Sequence, residues 1–197
     1  MVLAFNRWDV SGIAVADFGL KKYIALEPRF APKTGGRYAG NRFYKSKIFI
    51  VERLINKLLV PGHKAKKHFK TSGRNTGMTL NAYAMVERVL ERLEKVTKKN
   101  PVEVFVQALE NASQREEILT IEYGGARYPK AVECAPQRRI DLALRNMVQG
   151  AYHKNFGEKS TMEEALTKEI LAAYNSLPES NAIAKKLEVE RQCDSAR

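Results

Sequence analysis

Two stretches of this sequence carry the side chains best suited to chemistry, and that chemistry is recognition of a polyanion. Arg29, Lys33, Arg37, Arg42, Lys45 and Lys47 follow one another with no acid between them, interleaved with Phe30, Tyr38, Phe43 and Tyr44. A second acid-free stretch, residues 61–78, holds Lys64, Lys66, Lys67, Lys70 and Arg74 among Gly62, Gly73 and Gly77. Cations at this density grip phosphates, and the rings and guanidinium planes among them stack on unpaired bases. The alternative is a solvated linker whose aromatics tuck into the core, but a linker normally mixes both signs of charge. Gly and Pro interrupt both stretches, and neither shows helical or strand periodicity.

The charge of the whole chain gathers there. Lys and Arg number 34 against 22 Asp and Glu, a formal net of +12 in 197 residues. Residues 28–86 hold 13 of the bases and a single acid, Glu52, so the other 21 bases and 21 acids cancel. Concentrating the entire excess beside a neutral body presents a surface to nucleic acid or to an acidic membrane.

Little else has the spacing that catalysis or metal binding requires. Cys134 and Cys193 stand far apart with no Cys-x-x-Cys pair, which excludes a disulfide framework and a four-cysteine zinc site. They read as reduced thiols of a cytoplasmic protein. His63, His68 and His153 form no His-x-x-x-His pair, no Gly-Lys-Ser/Thr follows Gly124-Gly125, and no Gly-x-Ser-x-Gly elbow occurs. Glu116-Glu117 and Glu163-Glu164 read as solvated acids and as helix N-terminal charges. No enzyme and no cofactor are expected. The longest apolar candidate, Ile48 to Val60, is broken by Glu52, Arg53, Asn56 and Lys57 and falls short of the roughly 18 residues of a membrane span. Without a signal-peptide pattern either, the chain reads as soluble, with no membrane partner.

The elements that must position the basic stretches are mostly helices. Ile48 to Val60 places Ile50, Val51, Leu54, Ile55 and Leu58 on one side, with Arg53, Asn56 and Lys57 on the other, and Pro61-Gly62 stops it. Thr79 to Lys99 has Val86, Val89, Leu90, Leu93 and Val96 as its apolar stripe, with Glu91–Lys95 and Glu94–Lys98 pairs expected on a solvated face. Asn100-Pro101 with Glu103 starts a third helix, with Val102, Phe105, Val106 and Leu109 inward. A fourth begins at Pro136 and buries Ile140, Ala143, Leu144 and Met147, leaving Arg138 and Arg145 on the opposite side. Ser160-Thr161 opens a fifth over Met162, Leu166 and Ile170, and a sixth runs from about Ser180 to Gln192. Between the third and fourth, residues 118–133 alternate around Gly124-Gly125 and read as a β-hairpin. Pro129 confines its second strand to an edge or a bulge, and a two-stranded ribbon has little core, so it should project. The expected fold is mainly α: a bundle of about six helices with an inserted, projecting hairpin. Residues 1–47 form a basic extension and residues 48–197 the helical body.

Four stretches in order resemble the universal small-subunit ribosomal protein S-seven family, in its archaeal and eukaryotic branch, whose eukaryotic member is called S-five. They are GRYAGNRFYKSKIFIVERLINKLL (36–59), NPVEVFVQALENASQRE (100–116), GGARYPKAVECAPQRRIDLALRNM (124–147) and SNAIAKKLEVERQCDSAR (180–197). The resemblance runs from about Tyr23 to Arg197 and leaves residues 1–22 unassigned. It implies a helical bundle that binds the 3′ major domain of small-subunit rRNA, helps nucleate the subunit head, and resides on the cytoplasmic ribosome. Its hairpin would lie by the tRNA exit site and mRNA exit channel, near ribosomal protein S-eleven. The implied rRNA contacts are Arg37, Arg42, Lys45, Lys47, Arg53, Lys57, Arg138, Arg139 and Arg145, with Lys185 and Lys186 secondary. The hairpin tip, Gly124, Gly125, Arg127 and Tyr128, would face the exit site. Many relatives carry basic residues before the glycine turn, whereas residues 116–135 hold Arg127 and Lys130 against four glutamates. A positional role beside tRNA or a neighbouring protein is therefore expected of it rather than phosphate binding. The competing reading is an architectural DNA-binding protein with a β-ribbon arm.

Overall fold

The computed structural model describes residues 2–64, 67–68 and 70–197. Six helices follow in order: α1 (Ile50–Leu58), α2 (Thr79–Thr97), α3 (Pro101–Ala112), α4 (Pro136–Asn155), α5 (Met162–Tyr174) and α6 (Asn181–Ser195). Three of their starts are capped by side chains that the sequence supplies. The Asn100 side chain accepts from Val102 N, Thr161 Oγ1 from Glu164 N, and Ser180 Oγ from Ile183 N, each satisfying an orphan donor of the first turn. Lys98, at φ 54°, ends α2 in the left-handed conformation.

The centre of the bundle is α3. The sequence places Val102, Phe105, Val106 and Leu109 inward, and all four are buried, but so are Val104 and Ala108. The polar residues of α3, Glu103, Gln107, Glu110 and Asn111, share one narrow stripe, and the rest of its surface is inside. Around it, α5 packs on α2, α3 and α4, and α6 closes against α4. That last approach needs Gly150, where an added Cβ would come within 2.5 Å of Asn181 Cβ.

Three expectations change. Val96, read as part of the α2 stripe, is 64% exposed because the stripe runs one turn past the end of the core. The acids of α2 do not pair along the helix: Glu91 takes Arg7, and Glu94 accepts from Trp8 Nε1. Both partners come from residues 1–22, which the sequence left without a role. Ala4, Phe5, Trp8, Val10 and Leu20 are buried in the main core, with the Phe5 ring 4.8 Å from that of Tyr83. Within the extension expected over residues 1–47, the first 24 thus carry core side chains, whereas between residues 27 and 47 only Pro32 is buried. The third change is on α1, where Arg53, read as lying opposite the apolar side, is nevertheless buried, at 7% exposed. The extension and α4 cover it.

Two antiparallel ribbons complete the fold. In the basic loop, read as irregular, β1 (His63–Lys64) pairs with β2 (Lys67–His68). The hairpin is formed by β3 (Glu116–Tyr123) and β4 (Ala126–Glu133), in unbroken register from Glu116↔Glu133 to Tyr123↔Ala126. Gly124 and Gly125 close it with φ of 59° and 83°, the paired positive values of a type I′ turn that glycine adopts without strain. Pro129 lies opposite Thr120 with no bulge, and each strand of a two-stranded ribbon has an edge on which a missing donor costs nothing. Residues 119–130 are all exposed, so the ribbon projects. No helix among the described residues is long and apolar enough to cross a membrane.

Candidate nucleic-acid interface

Where α1 meets α4, cations converge from three elements. The Arg53 guanidinium donates from Nη2 to Asp141 Oδ1 at 2.8 Å and from Nη1 to the Tyr23 carbonyl at 3.1 Å. Lys45, in the single-turn helix Tyr44–Lys47, donates to the other carboxylate oxygen of Asp141. Lys57, one turn beyond Arg53, and Arg145, four residues beyond Asp141, line the same cavity of about 310 Å³. Asp141 is the only acid lining it among the described residues. The crowding registers on Lys57. Burial, and then the Arg145 and Lys45 charges, hold its ammonium below the ordinary lysine range.

Tyr38 and Ile48 also line a second, larger cleft of about 670 Å³, walled by Arg29, Lys33, Arg37 and Lys47 and by Tyr44. No acid lines this one among the described residues. The single acid of the basic segment, Glu52, lies underneath. It is 2% exposed, and its Oε1 accepts from Thr34 N at 2.7 Å and from the Thr34 hydroxyl, fixing the extension to the first turn of α1. The aromatics are not tucked into the core: Phe30, Phe43 and Tyr44 are exposed. The Arg42 guanidinium lies 5.9 Å from the Phe43 ring centroid and the Lys47 ammonium 5.3 Å from that of Tyr44. Exposed rings beside cations are what stacking on unpaired bases requires. Farther along, Lys70 donates to the His153 carbonyl and sits 4.7 Å from the Phe156 ring centroid. Lys64 and Lys67 hold paired backbone positions of the small ribbon, and Arg74 lies in the turn Gly73–Asn75. Lys66 lies outside the described residues.

The remaining cations named from the sequence are occupied inside the molecule. Arg138 places Nε and Nη2 on Glu117 at 2.7–2.8 Å, a forked pair that ties the hairpin base to α4. Arg139 holds Asp17 at 2.7 Å and the Gln114 carbonyl at 3.1 Å, with its side chain 11% exposed. Lys185 pairs with Glu188, and Lys186 donates to the Asn111 carbonyl at 2.8 Å. At the hairpin, Arg197 pairs with Glu116 and Arg127 with Glu122 at 3.6 Å. One face of the ribbon is mostly apolar: Leu119, Ile121, Tyr123 and Tyr128 share it and are exposed, with Lys130 opposite Leu119 as its cation.

Sequence reasoning found the cations and missed the acids that sort them. Asp141 had a visible signal: it stands three residues after Arg138 and four before Arg145, on neighbouring turns of a helix rich in arginine. Glu52 had one too, as the lone acid in a basic segment. Glu117 had none, because only the fold brings it to Arg138.

Comparison with known proteins gives consistent results. The sequence profile of the family described as "Ribosomal protein S7p/S5e" matches residues 20–197. The chain is 53% identical over 193 residues to "Small ribosomal subunit protein uS7" of Nanoarchaeum equitans, covering 98% of each chain. It is 44% identical over 196 residues to the protein of the same name from Archaeoglobus fulgidus, covering 100% of this chain and 95% of that one.

Proposed function

We infer the function from a plain premise: the chain belongs to the ribosomal protein S7p/S5e family. It is a structural constituent of the small ribosomal subunit, not an enzyme, and its work is to bind rRNA. Its rRNA target is the 3′ major domain, where it helps nucleate the subunit head. The observation that carries this reading is the convergence of Lys45, Arg53, Lys57 and Arg145 beside an acid-free cleft with exposed rings. Phosphates fit the cations, and unpaired bases of a folded RNA fit the rings of Tyr44 and Phe43. The hairpin's role is positional, at the exit site for tRNA and mRNA and beside ribosomal protein S-eleven. Its internally paired charges and mostly apolar face support contact with a neighbour over a grip on phosphate. An architectural DNA-binding ribbon would need free cations at its tip, and Arg127 there faces Glu122.

The experiment is co-sedimentation with small subunits on a sucrose gradient, paired with filter binding to a transcribed 3′ major domain. Migration with the small subunit and binding of that domain at nanomolar concentration, far tighter than binding of a duplex DNA of equal length, is the expected outcome. Equal affinity for the DNA would overturn the reading.

A further inference from the structure

An acid at the centre of a phosphate-binding cleft is out of place on simple electrostatics, since it repels the ligand the cations attract. Four cations crowd one another in the cavity between α1 and α4, and Asp141 is the charge that lets two of them sit together. Its Oδ1 holds Arg53, whose side chain is 6% exposed, and its Oδ2 holds Lys45, which comes from the extension rather than from the bundle. Lys45 lies in a single helical turn with no buried residue; the buried Ile48 that follows anchors its backbone, and Asp141 is what holds its ammonium. Without the carboxylate, the repulsion among these charges would drive the Lys45 ammonium outward to solvent.

We propose that Asp141 is the positioning residue of this cleft, holding Lys45 and Arg53 side by side as a preformed seat for one backbone phosphate that Lys57 and Arg145 complete. The seat has donors to spare. One of the three Lys45 donors is used by Asp141, and no ion pair engages Lys57 or Arg145 among the described residues. Holding two long side chains in place before the RNA arrives removes their ordering cost from the binding step. That gain exceeds the loss from one partly solvated negative charge. The proposal rests on the rRNA-binding reading and deepens it.

The two ideas about Asp141 predict opposite signs. In the full-length chain, Asp141→Asn should weaken binding to the transcribed 3′ major domain about tenfold, the value of two pre-placed side chains. Its affinity for poly(U), which can adapt to cations wherever they lie, should stay the same or rise. Asp141→Glu, which keeps the charge, should recover most of the loss, as a merely structural filler would not. In a Lys45→Met background, adding Asp141→Asn should cost no more than about two- to threefold, because one of the two side chains it positions is already gone. If Asp141→Asn binds the rRNA domain as tightly as the parent, or tighter, Asp141 only screens the cleft and the proposal is wrong. Lys45→Met leaves the buried Arg53 pair intact and covers the case in which Asp141→Asn does not fold. Unchanged rRNA affinity in Lys45→Met would equally overturn the seat. Failure of the broader reading looks different: the parent chain itself would then show no preference for the rRNA domain over poly(U).

Discussion

The cleft at α1 and α4 and the projecting hairpin are both surfaces that the sequence marks as functional, yet they treat charge in opposite ways. In the cleft, four cations share one acid, and the extension beside it adds Arg29, Lys33, Arg37 and Lys47 with none. At the hairpin four of the six charges, Glu116, Glu117, Glu122 and Arg127, are paired within the chain. Glu117 meets Arg138, Glu116 meets Arg197, and Glu122 meets Arg127. The lesson is that the net charge of a segment and the charge it can offer a ligand are different quantities. Arg138 and Arg145 lie seven residues apart on one side of α4, but Arg138 belongs to the hairpin joint and Arg145 to the cleft.

The largest expected effect tests that division directly. Replacing Lys45, Lys57 and Arg145 together by alanine should lower rRNA affinity by more than a hundredfold. It should also flatten the slope of log affinity against log salt by about 0.7–0.9, the value of the one phosphate contact that these side chains serve together. Replacing residues 118–133 by a short Gly-Ser linker should change affinity no more than a few-fold and leave the slope alone. Filter binding over a salt series measures both. If the linker variant loses as much as the triple variant, the hairpin is part of the anchor and the comparison collapses.

Next in size is a contrast within α4. Arg139→Ala removes a largely buried guanidinium from Asp17 and the Gln114 carbonyl, loosening the N-terminal segment from the helix that leads out of the hairpin. A loss of about 2 kcal/mol in urea denaturation is expected, below the 3–5 kcal/mol of a fully buried pair because Asp17 is partly solvated. Arg145→Ala should leave stability within about 0.5 kcal/mol and reduce rRNA affinity instead. An Arg139→Ala protein of parental stability with weakened RNA binding would move Arg139 to the interface.

How much of this was legible in the sequence follows from which interactions are local. Helix starts at Asn100, Thr161 and Ser180, the Gly-Gly turn and the apolar faces of α1 and α4 depend on neighbours a few residues away, and the sequence shows them. The core role of Phe5, Trp8 and Leu20 does not show, because a short irregular segment has no period to read. The pairing of Glu94 with Trp8 spans 86 residues and that of Arg139 with Asp17 spans 122. No local pattern distinguishes those charges from solvated ones. The cleft was half legible: its cations stood out as a run, while the acids that sort them into offered and occupied could be recognised only once the helices met.

The smallest effect lies at the hairpin joint and asks how closed it is. Cys134 follows the last residue of β4 and is buried, with its amide donating to the Arg115 carbonyl at 2.8 Å. Burial first, and then the Glu117 carboxylate, push its thiol up to about 11. A thiol raised in the fold favours the folded state fully at low pH, and that contribution is lost as pH climbs from an ordinary thiol's 9.0 toward about 11. Since the thiolate is the nucleophile, alkylation of native Cys134 by iodoacetamide should stay slow through about pH 9 and accelerate only above it. Glu117→Gln removes the second cause and releases Arg138, so the acceleration should begin at lower pH while rRNA affinity stays within about twofold. Peptide mass spectrometry of the alkylated protein separates Cys134 from Cys193, which is also buried. Rapid labelling of Cys134 at about pH 8 in the parent chain would mean that the joint opens readily. Glu117, half-buried in the closed joint, would then be an accessible charge, and the contrast with the cleft would be one of degree.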